Sequence, residues 1–216
     1  MRILLFNWRD ITHPWAGGAE LSAHEQAKRW VRAGHHVTWF CGAYEGCAKH
    51  ANLDGIEIVR RGGRFTVYLW AFLHYLLRFS RAGYDVIVDI ENGIPFFAPL
   101  YSRVPVVCIV HHVHTEQFRR EFGPPLSHLG IFLESVLMPI VYRKVHFITV
   151  SQCSREELVG IGIDPARRSV IYNGLDHKKH RPGHQKAKQP FLLYLGRLMS
   201  YKRINKLVEL MIHILE

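Results

Sequence analysis

The chain reads as an α/β protein: a mostly parallel sheet flanked by helices, with a second domain begun near its end. Three observations predict this. Short apolar, β-branched runs alternate with helical patterns along most of the 216 residues. Those runs are bounded by glycines and polar loops, as the strands of a buried parallel sheet are. A polar, basic stretch then precedes a fresh strand-and-helix pattern in residues 191–216.

Taken in order, residues 2–7 form a short buried strand rather than a leader peptide. Residues 19–33 follow as a helix, stopped by Gly34 in the usual C-terminal position. Residues 37–40 and 56–59 are the next strands. Residues 66–81 make a strongly apolar helix, and 85–90 the strand after it. The β-branched run 104–110 is a central strand, and 129–142 a helix that Pro139 is expected to kink or shorten. Residues 147–150 and 169–172 are the last strands before a basic connection, 176–189, in which His177, His180 and His184 are read as solvated. The first domain is therefore placed at 1–189 and the start of the second at 190–216. There an apolar strand, Phe191-Leu-Leu-Tyr-Leu, runs into Gly196, Arg197 and, at the opening of a helix, Lys202. A tight turn, two cations and a helix N-terminus make a Rossmann-like phosphate site.

Almost half the residues are hydrophobic (48%), enough for a globular core, and no apolar run is long enough to span a bilayer. Cys41, Cys47, Cys108 and Cys153 show no CxxC spacing and are expected to be reduced thiols of a cytoplasmic protein. The formal charge of +10, with fifteen histidines besides, favours an anionic partner. The basic residues are scattered and no recognised nucleic-acid motif accompanies them, so no specific nucleic acid is expected.

Three stretches carry candidate chemistry. Gly17-Gly18-Ala19-Glu20 joins the first strand to the first helix, where glycine lets the backbone pass close to a ligand. It is not GxGxxG, and an ordinary βα turn accounts for it equally well. His111-His112-Val113-His114-Thr115-Glu116 follows the central strand, at the sheet edge where ligands of open α/β sheets bind. A histidine there can bond a sugar hydroxyl or phosphate or act as acid or base; a metal site of His112, His114 and Glu116, and a structural role, are the rivals. Ser151 ends another strand and lines the same edge, while Ser154 with Glu157 reads as a capping box. The apolar, base-flanked segments 65–81 and 118–144 fit either an anionic membrane surface or, the preferred reading, core helices with snorkelling arginines.

Taken together these motifs resemble the retaining glycosyltransferases of family 4 (group 1), whose fold is the two-domain GT-B. Gly17-Gly18-Ala19-Glu20 is similar to that family's GGxE loop and His111 to its active-site histidine. Asn173-Gly174-Leu175-Asp176 is similar to its NGVD segment, and Gly196-Arg197-Leu198 with Lys202 to its donor-phosphate motif. The resemblance implies that a nucleotide-diphospho-sugar binds between the domains and gives its glycosyl group, with retention, to a glycan or lipid-linked acceptor. His111, Arg197 and Lys202 are then the catalytic residues, and Gly17, Gly18, Glu20, Ser151, Asn173 and Gly196 bind substrate. No metal or other cofactor is implied, and peripheral contact with an anionic membrane is. The family's paired-glutamate motif falls beyond Glu216, so this chain by itself is expected to transfer little or nothing. The alternative is a non-catalytic acceptor-binding or anchoring subunit of a split GT-B enzyme.

Overall fold

Strand β1 (Arg2–Phe6) is apolar beyond its first residue and buries both faces, Ile3 and Leu5 on one side and Leu4 and Phe6 on the other. The structure is a computed structural model and describes residues 1–183, 188–189, 191–196, 198 and 202–215. Around β1 lie β2 (His36–Cys41), β3 (His50–Leu53), β4 (Ile56–Arg60), β5 (Val86–Glu91), β6 (Val106–Val110), β7 (His146–Thr149) and β8 (Arg168–Val170). The sheet order is β3-β4-β2-β1-β5-β6-β7-β8, and every neighbouring pair is parallel except β3 with β4.

Helices cover both faces. On the Ile3 and Leu5 side, α1 (Gly18–Arg32) packs Ala23 and Ala27 against Trp39, Ile58 and Ile90. Its small residues let the helix approach closely, and Gly34, at φ +85°, ends it in the left-handed conformation glycine favours. On the Leu4 and Phe6 side lie α2 (Val67–Leu77), through Val67, Ala71 and Tyr75, and α5 (Met138–Val141), just ahead of buried Tyr142. The Tyr142 hydroxyl donates to the fully buried Asp89 carboxylate, which also accepts from Phe96 N at 3.1 Å. Burial pushes the Asp89 carboxyl up to about 6.

The alternation of strands and helices is as predicted, and five local features differ. β3 falls between the strands predicted at 37–40 and 56–59, because the Asp54-Gly55 turn, both residues at positive φ, folds residues 50–53 back onto β4. A short helix, α3 (Thr115–Glu121), lies between the strand predicted at 104–110 and the helix predicted at 129–142. The apolar helix at 66–81 ends as α2 at Leu77 and finishes in a 3₁₀ turn at Phe79–Arg81. The predicted helix at 129–142 is α4 (Leu126–Phe132), a π turn at Leu133–Leu137, then α5. Pro139 cannot donate to the preceding turn, and the wider turn absorbs the missing bond. Finally, residues 191–195 form no strand, and Leu193 is 75% exposed and Leu195 91%. The cysteines are free.

Candidate functional site

The chain leaves β1 for β2 on one side and later returns through β5 on the other. In open parallel sheets such a reversal opens a crevice beyond the carboxyl ends of the strands. Here that edge carries Asn7 to Asp10 after β1, Glu91 to Gly93 at β5, His111 after β6 and Ser151 after β7.

The floor is an ion-pair network. Glu20, in the first turn of α1, is 1% exposed; its Oε1 accepts from Arg9 Nε at 3.1 Å and Asn92 Nδ2 at 3.0 Å, and its Oε2 from Gly17 N at 2.7 Å. Glu20 thus ties the glycine turn to the ends of β1 and β5. Gly17 caps α1 in an extended conformation, and a Cβ at Gly18 would meet nothing within 4 Å. The space above Gly18 is open, as a ligand's close approach requires. On the other flank, buried Asp10 accepts from Arg60 Nε at 2.6 Å and from Thr12 N at 2.8 Å. Burial alone would raise the Asp10 pKa, but the bonds from Arg60 and Thr12 outweigh it and hold the carboxyl below its ordinary value. Burial and the neighbouring Asp10 push the Cys41 thiol far up, so it stays protonated and donates to Asp10 Oδ2 at 3.3 Å.

The three histidines after β6 separate into distinct environments. His111 is half-buried, and its carbonyl is fixed by Ser154 Oγ at 2.6 Å. Burial lowers its pKa although Glu91 and Glu20 act the other way, so the ring is neutral at pH 7. Those two carboxylates place His111 within electrostatic reach of both walls of the crevice. His112 is exposed and meets Gln117 Oε1 at 3.3 Å. His114 is buried, with Nδ1 at 3.4 Å from Glu91 Oε1 and 3.3 Å from Glu134 Oε1. Burial would lower its pKa, but the Glu91 and Glu134 carboxylates raise it to about 10, so it is a cation under the crevice.

The metal grouping weighed from the sequence does not assemble: Glu116 is exposed and pairs with Arg119. His114 converges instead with Glu91 and Glu134, whose ligand atoms lie within 4.8 Å of one another, among the described residues the one group close enough to hold a cation. Its atoms are already joined by hydrogen bonds, with Glu134 also accepting from His114 N at 2.5 Å and Thr115 Oγ1 at 3.0 Å. Glu91 and Glu134 were missed in the sequence. The signal for Glu134 was a lone acid in an apolar helix; its partner, 20 residues away, is set only by the fold.

Ser151, not Ser154, caps α6 (Gln152–Gly160), accepting from Ser154 N at 3.1 Å. The extended residue after β7 is the one geometrically able to cap, which leaves Ser154 to hold His111. Asn173 returns to α1, where its Oδ1 accepts from Ser22 Oγ at 2.7 Å. Gly196 and Lys202 are exposed; Arg197 and His184 lie outside the described residues. Beside the crevice, Trp8, Arg9, His13, Trp15, Gly42 and Arg64 line a cavity of about 200 Å³. The Arg9 guanidinium stacks 4.5 Å above the Trp8 ring. Aromatic faces with fixed cations suit a sugar ring carrying an anionic group.

The sequence matches the family described as Glycosyltransferase Family 4 over residues 16–179. Among curated proteins none matches it. Among solved structures, Anabaena HepE in complex with UDP-glucose superposes with a TM-score of 0.53 at 18% identity, covering 82% of this chain and 45% of that one. HepE with UDP and glucose gives 0.53 at 19% identity, over 82% and 46%. The chain thus spans about half the length of the structures it matches.

Proposed function

The chain belongs to glycosyltransferase family 4, and we propose that it forms the acceptor-side half of a transferase. The reaction we assign moves a glycosyl group, with retained configuration, from a nucleotide-diphospho-sugar to a glycan or lipid-linked acceptor. The fold resembles the GT-B type. The observation that carries the reading is the crevice at the reversal of β1, where Glu20, which bonds the Gly17 turn, and Glu91 both act electrostatically on a His111 that burial keeps neutral.

Each residue then has a task. Gly17 and Gly18 admit the phosphate or acceptor, with Glu20 fixing their turn on Arg9 and Asn92. His111 bonds the transferred sugar beside the reacting carbon. Ser151 and Asn173 line the crevice from β7 and from the returning segment. Arg197 and Lys202, beside Gly196, offset the charge that develops on the departing diphosphate without a metal ion. The aromatic cavity at Trp8 and Trp15 takes the acceptor.

The test is transfer from a panel of nucleotide-diphospho-sugars, beginning with UDP-glucose, the donor bound in the HepE structure. The assay uses this chain and any longer form of the protein that contains it, and reads product configuration by NMR. Retained configuration is expected. An inverted product overturns the mechanism, and acceptor binding without transfer in any form favours the anchoring subunit.

Gly18 gives a second check. Because a side chain there meets no protein atom, Gly18→Leu is expected to leave the melting temperature unchanged or slightly raised. It fills the ligand's path and should cut transfer about 10–100-fold. Unaltered transfer would remove Gly18 from the site.

A further inference from the structure

The cavity beside the crevice is assembled from the ends of separate strands. Trp8 and Arg9 follow β1, and Gly63 and Arg64 follow β4, with β2 lying between those two strands. His13 and Trp15 come from the loop that leads into α1. Its volume of about 200 Å³ is below the roughly 300–1,000 Å³ of sites that enclose larger ligands, so it suits one sugar unit and not a whole nucleotide-sugar.

The charges around this cavity do not balance. The acids that act on His13 are Asp10 and Glu20, and both are engaged. Glu20 lies 3.1 Å from Nε and from Nη2 of Arg9, and Asp10 pairs with Arg60. Arg64 is left over. It is exposed, and among the described residues no carboxylate lies within ion-pair distance of it. It is nevertheless held in place. Its guanidinium carbon lies 5.7 Å from the centre of the Trp8 ring, 5.4 Å from Phe65 and 5.2 Å from Phe122. Its carbonyl accepts from Trp8 Nε1 at 3.1 Å. Contact with ring faces engages the flat surface of a guanidinium and leaves the N–H groups in its plane to fork around an anion.

His13 adds an uncharged donor. Its Nδ1 accepts from Trp15 N at 3.0 Å, and burial, with Arg9 beside it, lowers its pKa, so the ring is neutral at pH 7. The single ring proton therefore sits on Nε2. Gly63 keeps the space clear: a Cβ there would meet nothing within 4 Å.

We propose that this cavity selects an acceptor whose sugar unit carries an anionic group, carboxylate or phosphate, and that Arg64 is the residue that reads it. The sugar ring packs on Trp15, the Arg64 fork takes the anionic oxygens, and His13 Nε2 donates to a hydroxyl. A neutral sugar forgoes the charge-assisted bond, so the discrimination lies between charged and uncharged forms of one ring. The inference rests on the assignment of this cavity to the acceptor.

The test is saturation-transfer NMR on the 216-residue protein with methyl glucuronide, glucose 6-phosphate and methyl glucoside as probes. At least one anionic probe is expected to bind about tenfold or more tightly than the neutral one, and the tighter of the two identifies the group. Arg64→Gln should bring the anionic probes to the level of the neutral one. Arg32→Gln, which removes the same charge at the far end of α1, should change nothing. Gly63→Leu, which fills space that no protein atom occupies, should weaken all three. Equal binding of charged and neutral probes overturns the inference, as does absence of binding by either anionic probe. Equal losses in the two arginine variants, or inorganic phosphate that competes as well as the sugar phosphate, overturn it too. No donor is present and no transfer is read. Anionic-sugar binding without transfer by any form of the protein would therefore leave the Arg64 site standing and remove the transferase reading. Transfer to an anionic acceptor that is undiminished in Arg64→Gln would do the reverse.

Discussion

Asp10→Ala is expected to lower the unfolding free energy by about 3–5 kcal/mol, because it leaves Arg60 charged and unpaired in the interior. The Asp10 and Arg60 side chains are 0% and 4% exposed, and the Arg60 Nη1 and Nη2 groups already hold Ala48 O at 2.9 Å and Thr12 Oγ1 at 3.1 Å. Asp10→Ala/Arg60→Met, which removes both charges, should lose less than the two single variants summed, the signature of a coupled pair. Because the folded Asp10 pKa lies below its ordinary value, its contribution is fully present above about pH 4 and disappears only as the pH falls through that lower value. Urea unfolding at neutral pH decides it: a loss under about 1 kcal/mol for Asp10→Ala would mean the pair behaves as an exposed one.

This pair also shows what sequence reading can and cannot reach. Asp10, Cys41 and Arg60 sit at or beyond the carboxyl ends of β1, β2 and β4, and nothing local joins residues 31 or 50 positions apart. The apolar runs of β1, β5 and β6, the Gly34 stop and the glycine turn before α1 were legible because periodicity and glycine chemistry are local signals. The edge strand β3 was passed over because its alternation, Ala51 and Leu53 on the core and His50 and Asn52 exposed, lasts only four residues, although the Asp54-Gly55 turn was a readable hairpin signal. His111 could be chosen by register after its strand, but the burial that keeps it neutral and the charge of His114, which Glu91 and Glu134 sustain from other elements, are set by the fold. The exposure of Leu69 and Leu77 on the outer side of α2 was not legible for a related reason. Composition measures how apolar a helix is and not how many of its sides find a partner.

His111→Ala is expected to slow glycosyl transfer by about 10²–10³-fold in kcat, the usual cost of removing one preorganised donor at a reacting centre. The fold should survive, since Ser154 Oγ bonds the His111 backbone carbonyl, which alanine retains. The melting temperature therefore separates this effect from a structural one. The pH profile adds a sign. Burial sets the His111 pKa below 6.5, so the neutral ring persists at pH 7 and the rate should fall only as the pH drops through that lower value. His114 remains cationic up to about 10 and contributes no limb in the neutral range. The acid limb should accordingly vanish in His111→Ala while any alkaline limb stays. Nucleotide diphosphate release, followed in a form of the protein that transfers, measures both. An alanine variant with undiminished kcat, or one that keeps the acid limb, would transfer the role to another group on the crevice wall.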